Sequence, residues 1–114
     1  KLPHSIVHCF TGNKNELKKF LDLGLFIGIT GWVCDPKRGQ ELREIIKYIP
    51  IDRMVLETDA PYLLPKDIES KPKNNRNEPM FLEHILSVVS TIIKADKKIV
   101  AHQTTNNFKR LFRL

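Results

Sequence analysis

The sequence is poor in the devices that fix a chain by covalent bonds or by a bilayer. It has two cysteines, Cys9 and Cys34, too far apart to make a close metal-binding pair. A single disulfide between them is unsupported in such a chain, so free thiols are expected. No apolar stretch approaches the roughly 20 residues a membrane helix requires, and the opening Lys1-Leu2-Pro3 has no signal-peptide pattern. A cytoplasmic chain with no membrane contact is therefore expected. An initiator Met is also missing, which is compatible with a processed, an excised or a partial chain. There is no repeat beyond a threefold strand-then-helix rhythm. Nor is there an arginine-rich tract with interleaved aromatics that would by itself mark a nucleic-acid binder.

What is present suits one modest domain: 114 residues, 41% hydrophobic and 28% charged, enough to bury a core. The formal charge of +6 favours a polyanionic partner through long-range attraction and counterion release. A generally lysine-rich composition explains the same excess.

Periodicity orders the chain. Ser5-Ile6-Val7-His8-Cys9 reads as a short strand left by the turn Phe10-Thr11-Gly12. Asn13 is a good N-cap with Glu16 three residues on, Leu17, Phe20 and Leu21 recur at helical spacing, and Gly24 ends that helix. A second strand runs over Leu25–Thr30, where Gly28 marks close packing or close backbone approach. After the long turn Gly31–Lys37, a helix from about Arg38 carries Leu42, Ile45, Ile46 and Ile49 on one face, and Pro50 stops it.

The third strand, Met54-Val55-Leu56, runs into Glu57-Thr58-Asp59-Ala60-Pro61-Tyr62. Strand alternation aims Glu57 and Asp59 to one side and Thr58 to the other. Ala60-Pro61 blocks further extension and leaves Asp59 at the carboxyl end, where α/β folds put their chemistry. Two acids aimed inward need a cation, a proton or a hydrogen-bond network to compensate them.

Leu63–Glu78 is then a long polar connection, either a binding element or a disordered link. Pro79 opens a helix with Leu82, Ile85, Leu86, Val89 and Ile93 as its stripe. Asp96 is expected to cap a short helix through His102, with Thr105 or Asn106 starting a last one that turns Phe108, Leu111 and Phe112 inward. Three successive βα units specify an α/β fold with a parallel sheet and right-handed crossovers. Its two open edges suggest further strands.

Five separated motifs, in order, carry a resemblance across essentially the whole chain. They are His8-Cys9-Phe10-Thr11-Gly12, Gly28 to Asp35, Glu57 to Pro65, Arg76-Asn77-Glu78-Pro79, and Thr104-Thr105-Asn106-Asn107 to Leu111-Phe112. Together these resemble the carboxyl-terminal portion of the TatD family of metal-dependent deoxyribonucleases. The resemblance implies a (β/α)₈ barrel related to the amidohydrolases, with a mouth that binds one or two divalent cations. Such barrels take about 250 residues, so residues 1–114 are expected to be the carboxyl-terminal part of a single metal-dependent hydrolase barrel domain, a partial TIM-type barrel of its last three βα units. The family's first-strand His-x-His pair, bridging Glu and middle-strand His lie upstream of the matched portion. The missing amino-terminal portion is therefore expected to complete the site.

By the same resemblance His8 and Asp59 are metal ligands for Mg²⁺, Mn²⁺ or Zn²⁺, and imidazole with carboxylate is a normal donor pair for such ions. On the residues alone, a strand histidine is also an ordinary structural or surface residue, and Asp59 an ordinary turn cap. Asp59 can also take a proton from the attacking water. Glu57, two residues deeper, reads as support for a ligand or as an ion-pair partner of a basic side chain. Thr11 and Gly12 offer a hydroxyl and backbone amides near the substrate. Trp32 and Tyr62 are placed to stack on a base, at about 1–3 kcal/mol each, although Trp32 can equally pack its own loop. Arg76 suits a phosphate contact. Asn77 and Glu78 either cap the helix at Pro79 or brace the metal ligands, with capping preferred. His4, His84 and His102 fit no ligand motif and are read as lying outside the site.

The implied function is metal-dependent hydrolysis of the phosphodiester bonds of DNA, from a 3′ end, with this chain alone expected to be inactive. Two alternatives remain: a related hydrolase acting on an amide or aminoacyl ester, and a non-catalytic fragment that contributes only a binding surface.

Overall fold

The computed structural model describes residues 3–114; Lys1 and Leu2, part of the opening read for a leader signal, lie outside the described residues. Among the described residues three strands form one parallel sheet in the order of the sequence: β1 (Ile6–Val7), β2 (Phe26–Ile29) and β3 (Met54–Leu56). Ile6 and Val7 register with Phe26 and Ile27, and Ile27, Gly28 and Ile29 register with Met54, Val55 and Leu56. The expected first and second strands are thus shorter than the apolar runs that announce them.

Among the described residues four α-helices join the sheet: α1 (Lys14–Asp22), α2 (Gln40–Ile45), α3 (Leu82–Ile93) and α4 (Lys97–Phe112). Helix α1 starts as its sequence predicts. The Glu16 amide donates to Asn13 Oδ1 at 2.9 Å, and the Asn13 amide donates to Glu16 Oε1 at 3.0 Å, a reciprocal cap worth about 1 kcal/mol. Gly24, at φ +79°, then takes the left-handed conformation that turns the chain into β2. Helix α2 is shorter than its stripe predicts. It tightens into a 3₁₀ turn over Ile46–Tyr48, yet Leu42, Ile45, Ile46 and Ile49 are all buried.

The two helices expected after Asp96 are one continuous helix. Asp96 caps it, accepting from the Lys98 and Ile99 amides. It runs through Thr105 and Asn106, the expected start of a last helix, and the side chains on either side of them find partners of their own. The Thr104 hydroxyl donates back to the Val100 carbonyl at 2.8 Å. The buried Asn107 amide donates to the Ile51 and Met54 carbonyls, at 2.7 Å each. Satisfied in this way, neither residue competes with the helical backbone.

Alternation along the strands divides the core in two. Val7, Ile27, Ile29, Met54 and Leu56 join the large apolar cluster built with α1, α2 and α3, at whose centre Ile46, Ile85 and Val89 are buried. Ile6, Phe26 and Val55 turn the other way into a small cluster closed by Leu111 of α4. The polar residues at the strand tips belong to this second, sparsely covered face. Among the described residues no helix is long and apolar enough to cross a membrane.

Candidate functional site

Beyond β1 the backbone turns sharply, with Cys9 at φ +50°, and beyond β3 it does so again, with Asp59 at φ +58°. The left-handed region is costly for a residue with a side chain, though Asp bears it better than most. Such strain persists only where surrounding contacts hold it, and it collects at functional sites.

These two turns bring His8, Glu57 and Asp59 together. His8 Nδ1 donates to Glu57 Oε1 at 2.6 Å, and His8 Nε2 lies 3.4 Å from Asp59 Oδ1. Glu57 is also fixed by the Cys9 amide, which donates to its Oε2 at 2.9 Å, and its own amide donates to the Ile29 carbonyl. Gly28 makes room for this carboxylate. A Cβ on Gly28 would collide with Glu57 Oε2, so the glycine in β2 is required by the acid that follows β3. The expected alternation of Glu57 and Asp59 along one strand is corrected here. Pairing in β3 ends at Leu56, and the left-handed turn at Asp59, with a cis Ala60–Pro61 peptide after it, brings the second carboxylate to the opposite ring nitrogen.

The electrostatics follow from this geometry. The hydrogen bond and charge of Glu57 raise the His8 pKa above the ordinary imidazole value against the opposing effect of burial, and Asp59 adds a smaller upward push. The carboxylates that attract a proton there equally attract a metal cation. With Nδ1–H held by Glu57, Nε2 faces Asp59. That is how a carboxylate orients a metal-binding imidazole. The separation of 3.4 Å is long for a hydrogen bond and close to the edge of a tetrahedron whose bonds are about 2.1 Å. The pair thus fits two donors on one ion. The side chains of His8 and Asp59 are 57% and 32% exposed, which leaves the group open on its outer side.

The other expected residues surround this centre unevenly. Thr11 and Gly12 lie on the connection from His8 to α1, Thr11 exposed and Gly12 half-buried. Trp32 is the second residue of a 3₁₀ turn (Gly31–Cys34) capped by the Thr30 hydroxyl, which accepts from the Trp32 amide at 3.3 Å. Its ring packs partly on the large core, with the Arg38 guanidinium 5.7 Å from the ring centroid. Trp32, Arg38, Leu63 and Lys66 line a cleft of about 190 Å³. Tyr62 is 71% exposed, beside the Asp59 turn. Arg76 is exposed.

The preferred capping role of Asn77 and Glu78 is not what the structure shows. Glu78 sits at the start of the 3₁₀ turn Pro79–Phe81 and makes no side-chain cap. Asn77 is buried and reaches the Asp59 turn instead. Its Nδ2 donates to the Thr58 and Tyr62 carbonyls at 2.7 Å each, its Oδ1 accepts from the Glu78 amide, and its own amide donates to the Pro61 carbonyl. Three of these four bonds hold the turn that presents Asp59.

Sequence reasoning passed over Cys9 and Asp35. Cys9 offers no signal, since its contribution is a backbone amide and its turn. Asp35 is buried; its Oδ1 accepts from the Lys37 and Arg38 amides at 2.9 Å and its Oδ2 pairs with Lys66 at 3.2 Å. The backbone hydrogen bonds, Arg38 first, with Lys66 assisting, hold its carboxyl down at about 2. The Asp-Pro-Lys sequence was a legible turn signal for it.

This is an α/β protein whose polar residues gather at the carboxyl end of a parallel sheet, the usual seat of chemistry in such folds. The chain belongs to the TatD related DNase family, whose profile it matches over residues 1–113. A 3′-5′ ssDNA/RNA exonuclease TatD from Rahnella sp. (strain Y9602) is 57% identical over 113 residues, covering 99% of this chain and 43% of that protein. Among solved structures, a TatD homologue from Escherichia coli superposes with a TM-score of 0.82 at 28% identity, over 96% of this chain and 40% of that one. An uncharacterized amidohydrolase from Saccharomyces cerevisiae superposes at 0.80 with 26% identity, over 95% and 40% respectively. The chain therefore spans less than half the length of the curated relatives it matches.

Proposed function

We propose that these 114 residues are the last three βα units of one metal-dependent hydrolase barrel, and that the complete protein cleaves phosphodiester bonds of single-stranded DNA from the 3′ end in the cytoplasm. The observation that carries this reading is the pairing of His8 with a carboxylate at each ring nitrogen, 2.6 Å to Glu57 and 3.4 Å to Asp59. An Mg²⁺, Mn²⁺ or Zn²⁺ ion held by His8 and Asp59 would supply Lewis-acid polarisation of a phosphoryl oxygen and a lowered pKa for water.

The side chains do the rest. Glu57 keeps Nδ1 protonated and the imidazole aimed at Asp59. Asp59 takes a proton from the attacking water. Tyr62 and Trp32 stack on unpaired bases. Arg38, Lys66 and Arg76 neutralise backbone phosphates, in keeping with the net charge of +6. An amino-terminal portion pairs with the open sheet edges at β1 and β3 and supplies the remaining ligands. Both edges are otherwise a liability for a folded chain.

The test uses the complete protein with Mn²⁺ or Mg²⁺ and single-stranded DNA labelled at either end. Stepwise shortening from the 3′ end, lost in His8→Ala and Asp59→Asn, is the expected result. Unchanged rates in both variants would remove these residues from the site. A protein inert on DNA but active on aminoacyl esters or amides would transfer the reading to the second class, which the likeness to the yeast amidohydrolase favours.

A further inference from the structure

We propose that Cys34, Asp67 and His84 form a second metal site, for a single Zn²⁺-type ion, independent of the phosphodiesterase reading and apart from His8 and Asp59. One ligand atom from each, sulfur, oxygen and nitrogen, lies within 4.8 Å of the other two. The three come from separate segments: the 3₁₀ turn after β2, the long connection after β3, and the first turn of α3.

The donor set selects the ion. Mg²⁺ and Ca²⁺ take oxygen ligands, whereas a thiolate with an imidazole and a carboxylate suits Zn²⁺ or another borderline cation of tetrahedral preference. The site also has a closed and an open side. Cys34 is buried, while the side chains of His84 and Asp67 remain 29% and 38% exposed. The ion can enter from that side, and a water can complete the fourth position.

Two other readings fit less well. A nucleophilic cysteine needs a stabilised thiolate, yet burial, helped by the Asp67 charge, pushes the Cys34 thiol up to about 12. A simple hydrogen-bonded latch accounts for His84 Nε2 donating to Asp67 Oδ1 at 2.6 Å, but it does not require a sulfur in the same cluster. Ligand atoms on one tetrahedral ion stand about 3.3–3.7 Å apart. Binding therefore opens the His84–Asp67 pair by about an ångström, which the connection carrying Asp67 can absorb. Charge balances by proton loss. The Sγ proton leaves to solvent, and Nε2 gives up its hydrogen, either to solvent from an imidazolium or by a shift to Nδ1 in a neutral ring. Bound to the folded state alone, the ion would tie the connection after β3 to the 3₁₀ turn and to α3.

Co²⁺ alone, added to the full chain, is the probe. The expected result is a near-ultraviolet thiolate-to-metal charge-transfer band that saturates at one equivalent and is bleached by Zn²⁺. Cys34→Ser should abolish it, and His84→Gln should weaken Co²⁺ binding about tenfold or more, while Cys9→Ser and the double variant His8→Ala/Asp59→Asn should retain it. His84→Gln, at the open side, keeps the test decisive if Cys34→Ser fails to fold by circular dichroism. The proposal is overturned by folded wild-type protein that gives no band under excess Co²⁺. It is overturned equally by a band that survives at full affinity in folded His84→Gln, or by one that disappears in Cys9→Ser.

Discussion

His8 and His84 each meet a carboxylate oxygen at 2.6 Å, yet the two centres are built differently. His8 stands just past a strand, and its acid partners stand just past a strand two places along the same sheet, so pairing of parallel backbones sets the distance between them. His84 stands on a helix and meets an acid from an irregular connection 17 residues earlier. The first centre has a carboxylate at each nitrogen and an open outer side. The second is backed by a buried sulfur. Precision thus has two sources: a sheet positions groups far apart in the chain, while a loop-borne group is placed by whatever it can grip.

Catalysis depends most steeply on the sheet-borne centre. In the complete protein, Asp59→Asn should lower metal occupancy and hydrolysis by about a hundredfold or more, with circular dichroism and melting nearly unchanged. Metal content measured by atomic emission separates this from a folding defect. Next comes Glu57→Gln, which should weaken metal binding about 10- to 100-fold with little change in melting. Equal affinity in wild type and variant would detach Glu57 from the ligand it is read as orienting.

Smaller effects fall on stability. Asn77→Ala leaves the Thr58 and Tyr62 carbonyls without their donor, at a cost of about 2–3 kcal/mol readable in urea unfolding. Activity should fall as well, because the turn that presents Asp59 loosens. The smallest expected effect is acid dependence at Asp35. Its folded carboxyl lies at about 2 against the ordinary 3.8, so between those values the folded state binds fewer protons than the unfolded chain and acid favours unfolding. The contribution is complete above the ordinary value and lost as pH falls through about 2. Asp35→Asn should flatten that part of the urea midpoint against pH, and an unchanged slope would remove Asp35 as the cause.

How much of this was legible depended on whether local pattern or tertiary contact decided the outcome. The α1 cap and the strand cores were legible because Asn13 with Glu16, and runs such as Met54-Val55-Leu56, act through neighbours in sequence. His8 and Asp59 could be named from their strand-end positions and the resemblance, but not the left-handed turn that brings Asp59 round. Thr105 and Asn106 misled for the opposite reason. They look like the start of a new helix, and only the carbonyls of Ile51 and Met54, which the neighbouring Asn107 meets across space, show why one helix runs through them. His84 was set aside because no spacing rule links a helix histidine to Cys34 and Asp67.

The grip of Asn77 on the Thr58–Tyr62 turn has one more consequence. It closes residues 63–76 into an arch whose two feet are pinned together beside the acid. Changes of length at the crown of such an arch cost little, since closure entropy grows only slowly with span. The crown beyond Asp67 and the buried Ile68 can therefore change length at little cost, while the footing under Asp59 cannot.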